Sequence, residues 1–247
     1  MNTSIKNLFT VAALSSLFAG VLLTLFQQFQ VVPAIVEAET YEVTGSGLAA
    51  DHAMVEHGEA DHHEIDSHAT DSGHLHDETA WAPEDGLQRH LFTAAANVVI
   101  ALGFALLMGA AAAMGGIKIN WRTGLLWGLA GYVIFFVAPS LGLHPELPGT
   151  EAADLQLRQY WWLATIACTA AGLALLVFNS RSALKVAGVL FIIAPHVIGA
   201  PQPDVHNALA PAELIQTFII ATVISNAVFW LALGGLYGFF NQKLAQQ

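Results

Sequence analysis

The sequence predicts an all-α integral membrane protein with about six transmembrane helices in three repeated helical hairpins and a disordered, histidine- and acid-rich extracytoplasmic loop. Three observations indicate this fold class. First, 55% of the 247 residues are hydrophobic and only 11% are charged, a composition too apolar for a soluble domain. Second, six apolar stretches approach the length of about 20 residues that crosses a bilayer. Third, prolines and asparagines recur at matched positions of these stretches.

The six predicted spans alternate in direction along the chain. They comprise residues 8–36, 91–114, 124–143, 160–178, 183–199 and 214–240. The first span follows Lys6 but is too long for a signal peptide and lacks a nearby small-residue cleavage pattern, so we expect an uncleaved anchor. Cleavage would instead leave five spans and an external N-terminus. The fifth span is the shortest and contains Pro195 and His196.

The distribution of charge predicts the orientation. With both termini in the cytoplasm, only Arg89 and Arg158 among the basic residues fall outside, as the positive-inside rule expects. Every aspartate and glutamate falls on the outer side, which is the periplasm for a bacterial inner membrane. The chain then divides into a first helix at residues 1–36, a periplasmic loop at 37–86 and a five-helix remainder at 87–247.

Proline and asparagine positions indicate an internal repeat. Pro33, Pro139 and Pro195 each stand near the end of a helix that we expect to run outward. The second and sixth spans follow the similar segments APEDGLQ and APAELIQ, and each contains one asparagine at the matched position, Asn97 or Asn226. Parallel repeats of this kind occur in membrane transporters. A simpler interpretation is that each proline only ends its helix, because proline lacks the amide donor.

The most unusual segment is the loop at residues 51–78, DHAMVEHGEADHHEIDSHATDSGHLHDE. It contains seven of the chain's eleven histidines and nine of its nineteen acidic residues, with no lysine or arginine. An acidic residue recurs every five positions from Asp51 to Asp71, a period that marks no helical face. Because few apolar residues are present to form a core, we expect this loop to be disordered.

Interleaved imidazoles and carboxylates are suitable ligands for borderline divalent metal ions. We therefore predict that the loop captures metal, through His52, His57, His62, His63, His68, His74 and His76. Two alternatives remain open at this point. The loop could sense pH, because imidazole titrates near neutrality, or it could be a solvated low-complexity segment.

Polar residues in and near the spans form the second group of candidates, because an ionisable side chain within a membrane is expensive and usually functional. The candidate pathway residues are His196, His90, His144, Glu37, Glu39, Asn97 and Asn226. We expect the translocation site to lie near His196, where Pro195 frees a backbone carbonyl. The simpler role for the two asparagines is hydrogen bonding between helices, and the histidines at span boundaries could merely face water.

Motifs of other protein classes are absent from the sequence. It contains no GxxxxGK[ST] phosphate loop and no HExxH, CxxC or GxSxG motif. Cys168 is the only cysteine, so neither a disulfide framework nor a thiolate metal site is available. We therefore expect no enzymatic activity and no permanent cofactor.

The segments VVPAIVEAETYE, WAPEDGLQR, PELPG, PHVIGAPQP and SNAVFW, in this order, resemble the cobalt transporter subunit CbtA family along essentially the whole chain. This resemblance implies a bacterial inner-membrane permease for cobalt(II), associated with cobalamin metabolism and paired with a small histidine-bearing membrane subunit, CbtB. Nickel(II) and zinc(II) are the alternative substrates. A metal-binding accessory or sensor subunit without its own transport activity is the alternative function.

Overall fold

The computed structural model describes residues 3–42, 83 and 86–246, which form six long helices. Helix α1 comprises residues 3–42 and includes a π-helical turn at Gln27–Val31. The other five are α2 (Leu87–Met114), α3 (Trp121–Ser140), α4 (Leu155–Phe178), α5 (Ser182–Ile198) and α6 (Ala212–Leu244). The described residues contain no β-strand, and the predicted all-α membrane fold is confirmed.

Helix length agrees with the prediction of membrane spans. Five of the described helices are long and apolar enough to cross a membrane. Helix α5 has 17 residues, and a rise of about 1.5 Å per residue gives it a length of about 26 Å. That length is at the lower limit for a transmembrane helix. Large apolar side chains such as Val99, Leu190 and Ile198 are exposed on the outside of the bundle, as expected for surfaces that face lipid.

Two helix connections meet at the outer end of the bundle, which is the end where α1 ends. The connection at residues 141–154 pairs with the connection at 199–211 through Leu209 N–H, which donates to Gly149 O at 3.1 Å. Gly149 has a φ of 75°, and a Cβ atom there would lie 3.0 Å from Glu42 Cγ at the end of α1. Glycine therefore permits both the turn and the close approach.

The outward and inward helices form three antiparallel pairs. Of the predicted hairpins α1–α2, α3–α4 and α5–α6, only α1–α2 is one of these pairs. Helix α1 packs on α2, α3 packs on α6, and α4 packs on α5, while α1 also contacts α6. Glycines permit close backbone contact in the pairs α3–α6 and α4–α5, which differ from the predicted hairpins. A Cβ atom at Gly128 would collide with the backbone of α6, and one at Gly172 would lie 2.6 Å from Gly188 O of α5. Such close approach between backbones is typical of membrane helices.

All three repeated prolines lie inside their helices, Pro33 well before the end of α1 and Pro139 and Pro195 within the last turn of α3 and α5. Pro33 follows the π turn Gln27–Val31 by two residues, and Pro139 follows the π turn Val133–Val137 by the same distance. In both turns, the residue before the proline donates its amide hydrogen to the carbonyl five residues earlier. The wider turn accommodates a residue that lacks an amide donor. Consequently α1 continues to residue 42 instead of ending at residue 36, and the beginning of the predicted loop is helical.

The bundle contains two apolar clusters at different heights. The inner cluster joins α1, α2 and α6, and its buried members include Val11, Ala19, Leu23, Ala101, Ala105, Phe229 and Leu233. The outer cluster joins the last part of α1, the beginning of α6 and the outer connections. Its buried members are Val31, Ala34, Ala38, Leu147, Ala210, Phe218 and Ala221.

Candidate functional site

Asn97 forms the most buried polar contact between helices α1 and α2. Its side chain is 7% exposed, and its Nδ2 donates to Thr24 Oγ1 at 3.0 Å and to Gln27 Oε1 at 2.6 Å. Thr24 and Gln27 are three residues apart and therefore lie on the same face of α1. Gln27 is also the first residue of the π turn. The sequence-predicted candidate Asn97 thus belongs to a polar network within the outer half of the bundle.

Two further candidates extend the α1–α2 interface toward the outer end. His90 Nδ1 of α2 is in hydrogen-bonding contact with Gln28 Nε2 of the π turn. Glu39 Oε1 forms an ion pair with Arg89 Nη2 at 3.0 Å. Because a helix rises by about 1.5 Å per residue, Asn97 lies about 12 Å deeper along α2 than Arg89. Polar side chains therefore follow this interface from the outer surface into the bundle.

His144 lies in a separate cleft at the outer end. This cleft has a volume of about 260 Å³ and lies between the connections that follow α3 and α5. Its ionisable lining residues are His144, Glu146, Glu151, Arg158 and His206. Glu146 Oε2 is paired with Arg158 Nη2 at 2.8 Å, so one carboxylate in the cleft is already compensated.

The remaining candidates lie away from both groups. The ring of His196 packs edge-on against Trp161 with 5.9 Å between centroids, and Trp161 Nε1 donates to Pro195 O at 3.1 Å. Asn226 Nδ2 donates to a carbonyl of the preceding turn of its own helix at 2.9 Å. Glu37 is exposed on α1. The structure thus brings Glu39, His90 and Asn97 to one interface and leaves the other candidates at separate positions.

A preformed metal site is not found in residues 3–42, 83 and 86–246. No group of three or more His, Cys, Asp or Glu side chains in these ranges could hold a metal ion. The seven histidines of the predicted capture loop lie outside the described residues. The described helices instead contribute single imidazoles together with amide and hydroxyl oxygens.

Sequence reasoning did not select Thr24, Gln27 and Gln28. The signal was available, because the segment FQQFQ at residues 26–30 places three glutamines in a long apolar stretch. The candidates comprised histidines, carboxylates and the two asparagines of the repeat, and the glutamines of the first span were overlooked. Amides are costly to bury in a membrane without hydrogen-bond partners. Three glutamines in an apolar stretch therefore indicate polar contacts inside the bundle.

A bundle of long apolar helices, with repeated prolines and polar contacts between helices, has the architecture of a multi-pass membrane transport protein. Residues 5–242 match the family model described as a probable cobalt transporter subunit, CbtA, and the chain therefore belongs to the CbtA family. This match covers nearly the whole chain and confirms the family resemblance of the sequence. The chain matches no curated protein and no solved structure.

Proposed function

We propose that this protein takes up cobalt(II) through the bacterial inner membrane and that its loop at residues 51–78 captures the metal in the periplasm. The observation that carries this proposal is the combination of a seven-histidine loop with a CbtA-family helix bundle. Imidazole favours Co(II), Ni(II) and Zn(II) over hard cations, so nickel and zinc are the alternative substrates. The protein needs no permanent cofactor and catalyses no reaction in this scheme.

In the proposed orientation, both termini face the cytoplasm and the loop faces the periplasm. Six of the eight basic residues then lie on the cytoplasmic side, in agreement with the positive-inside rule. The two outer exceptions also support this orientation. Arg89 is paired with Glu39 and Arg158 is paired with Glu146, so the charge of each exception is compensated by a carboxylate.

The membrane potential is a sufficient driving force for uptake. An inside-negative potential favours the inward movement of a cation by about 2.3 kcal/mol per charge for each 100 mV, or about 4.6 kcal/mol for a divalent ion. The sequence contains no phosphate-binding loop for ATP. We therefore assign the chain to the permeases that use the potential or a coupling ion.

The family description as a subunit supports a partner, and we assign this role to the small membrane subunit CbtB. Proteoliposomes that contain only this chain test the transport activity directly. With an inside-negative potential, radioactive cobalt should accumulate, and excess Mg(II) should not compete. Parallel vesicles that contain both subunits determine whether CbtB is required. Absence of flux in both preparations would contradict the permease function.

A second function is favoured by the absence of a three-residue metal group in the described helices. In this alternative, the chain is an accessory or sensor subunit that binds periplasmic metal without transporting it. The same preparation distinguishes the two functions. Cobalt binding without flux, with or without CbtB, would support the accessory role.

A further inference from the structure

A polar segment interrupts the apolar face of α1 between the inner and outer clusters. The inner cluster ends on α1 at Leu23, and the outer cluster begins at Val31. Between these two residues lie Thr24, Gln27 and Gln28, all of them half-buried. Their side chains make the contacts with α2 described above, so the interruption lies inside the bundle.

Helix α6 has a corresponding interruption at Ser225. The outer cluster ends on α6 at Ala221, and the inner cluster resumes at Phe229. Ser225 lies between them, is 1% exposed, and its hydroxyl has no hydrogen-bond partner within the described part of the chain. Helix α6 contacts the π turn Gln27–Val31, and Ser225 lies between the two clusters on α6 as Gln27 does on α1.

On α2, Asn97 is the polar residue at the border of the inner cluster. It lies one turn before Ala101, the first inner-cluster residue of α2. The polar layer consists of Thr24, Gln27, Gln28, Asn97 and Ser225. An unpartnered buried hydroxyl costs free energy in a membrane interior. The layer therefore contains a polar group that the protein itself does not satisfy.

The polar layer is closed toward the inner end of the bundle. A Cβ atom at Gly20 would lie 2.7 Å from Val98 Cα, so the backbones of α1 and α2 are nearly in contact just below the layer. Ala19, Ala101 and Ala105 are fully buried there. Toward the outer end, the polar contacts of His90 and of the Glu39–Arg89 ion pair follow the same interface. Among the described contacts, polar side chains therefore connect the layer to the outer end of the bundle, while glycine and alanine close it on the inner side.

The chemistry of the layer matches a partly hydrated divalent cation. Both amide hydrogens of Asn97 Nδ2 are used in bonds to Thr24 and Gln27, which leaves its Oδ1 outside those two bonds. His90 adds an imidazole at the outer edge. Neutral oxygen and nitrogen donors bind a cation weakly enough for it to leave, as conduction requires.

We propose that the polar layer is the binding site for the transported divalent metal within the membrane, and that His90 is the first residue of the bundle to contact it. This inference rests on the proposed function, because it assigns a site to the same cargo. The capture loop delivers the metal to the outer end of the α1–α2 interface. The contact between Gly20 and Val98 must open before the metal can move inward.

The test uses the full chain with its seven loop histidines replaced by asparagine, which leaves the helices unchanged. Equilibrium dialysis of the detergent-solubilised protein against radioactive cobalt(II) should detect one remaining site. Asn97→Leu and Gln27→Leu should each weaken that site by at least about tenfold, the range seen for groups around metal ions. Gln30→Leu is the matched control, because Gln30 belongs to the same π turn but is exposed, and its cobalt affinity should not change.

A conservative variant separates metal binding from helix packing. Gln27→Glu keeps an acceptor for Asn97 Nδ2 and adds a negative charge, so it should bind cobalt more tightly than the parent chain. A purely structural role for Gln27 predicts unchanged cobalt affinity. Size-exclusion elution and melting temperature verify that each variant is folded.

The possible outcomes distinguish this inference from the proposed function. Unchanged cobalt binding in Asn97→Leu and Gln27→Leu, or loss of the remaining site in His144→Ala instead, would overturn the polar layer while leaving transport intact. Binding that depends on Asn97 and Gln27 without any flux in wild-type vesicles would support the polar layer and overturn the permease.

Discussion

Replacing Gly234 with alanine should force helices α3 and α6 apart. A Cβ atom at this position would collide with Gly124 O, and it would lie 2.7 Å from Gly128 N and 2.8 Å from Gly128 Cα. Carbon atoms in contact normally lie about 3.5–4.0 Å apart. All three opposing atoms belong to the backbone, so no side chain can rotate away. The two helices must therefore separate by about 1 Å.

The expected cost is that of overpacking a close-packed interface, about 1–3 kcal/mol. For a chain of 150–250 residues, each kcal/mol lowers the melting temperature by about 2–4 °C. Gly234→Ala should therefore melt about 2–12 °C below the wild type. The assay is thermal unfolding in detergent followed by tryptophan fluorescence. Trp230, which is 3% exposed at the same interface, provides a buried reporter.

Gly103→Ala is the matched control for this prediction. Apart from the neighbouring backbone of α2 itself, no atom lies within 4 Å of a Cβ atom at Gly103, and alanine favours a helix by about 1 kcal/mol over glycine. The melting temperature of Gly103→Ala should stay constant or rise. Equal melting temperatures for the two variants would refute the assignment of the α3–α6 contact to glycine packing.

Three further predictions concern topology, metal and the loop. In a chain without Cys168, an impermeant thiol reagent applied to spheroplasts should label Ser67→Cys and spare Ser180→Cys; the opposite pattern would reverse the orientation. Calorimetry on a peptide of residues 51–78 should show that Co(II), Ni(II) and Zn(II) bind in preference to Mg(II) and Ca(II). Because protons compete for imidazole, affinity should fall below about pH 6.5, by about tenfold per pH unit for each coordinating histidine; pH-independent binding would exclude histidine ligands. Deleting residues 51–78 should raise the half-saturating cobalt concentration several-fold without lowering the maximal uptake rate, at equal amounts of protein in the membrane, and loss of uptake at saturating cobalt would contradict a capture role.

The helices themselves could be predicted from the sequence because hydropathy depends on local composition. The end of α1 could not be predicted equally well. Pro33 should disrupt a regular α-helix, but the π turn Gln27–Val31 accommodates it and the helix continues. The same turn recurs before Pro139. The prolines thus mark two similar turns, but the structural consequence of each proline depends on hydrogen bonding that local composition does not reveal.

The exchanged helix pairs show a different limit of sequence reasoning. The repeat of prolines and asparagines predicted that α3 pairs with α4 and that α5 pairs with α6, whereas α3 pairs with α6 and α4 with α5. In the structure, Gly124 and Gly128 of α3 face α6, while Gly172 of α4 faces Gly188 of α5. The sequence shows that these small residues can form close contacts. It does not show which of several glycine-containing helices each one meets, because that choice depends on the fit of whole helix surfaces.

The polar layer could be anticipated only in part, for a geometrical reason. Consecutive residues of an α-helix diverge by about 100°, so a regular helix would direct Gln27 and Gln28 toward different neighbours. In the structure both contact α2, Gln27 through Asn97 and Gln28 through His90. The π turn contains an additional residue and changes the phase between the two halves of α1. A sequence period of 3.6 residues cannot be carried across this turn, so the sequence pattern alone does not place Gln27 and Gln28 at one interface.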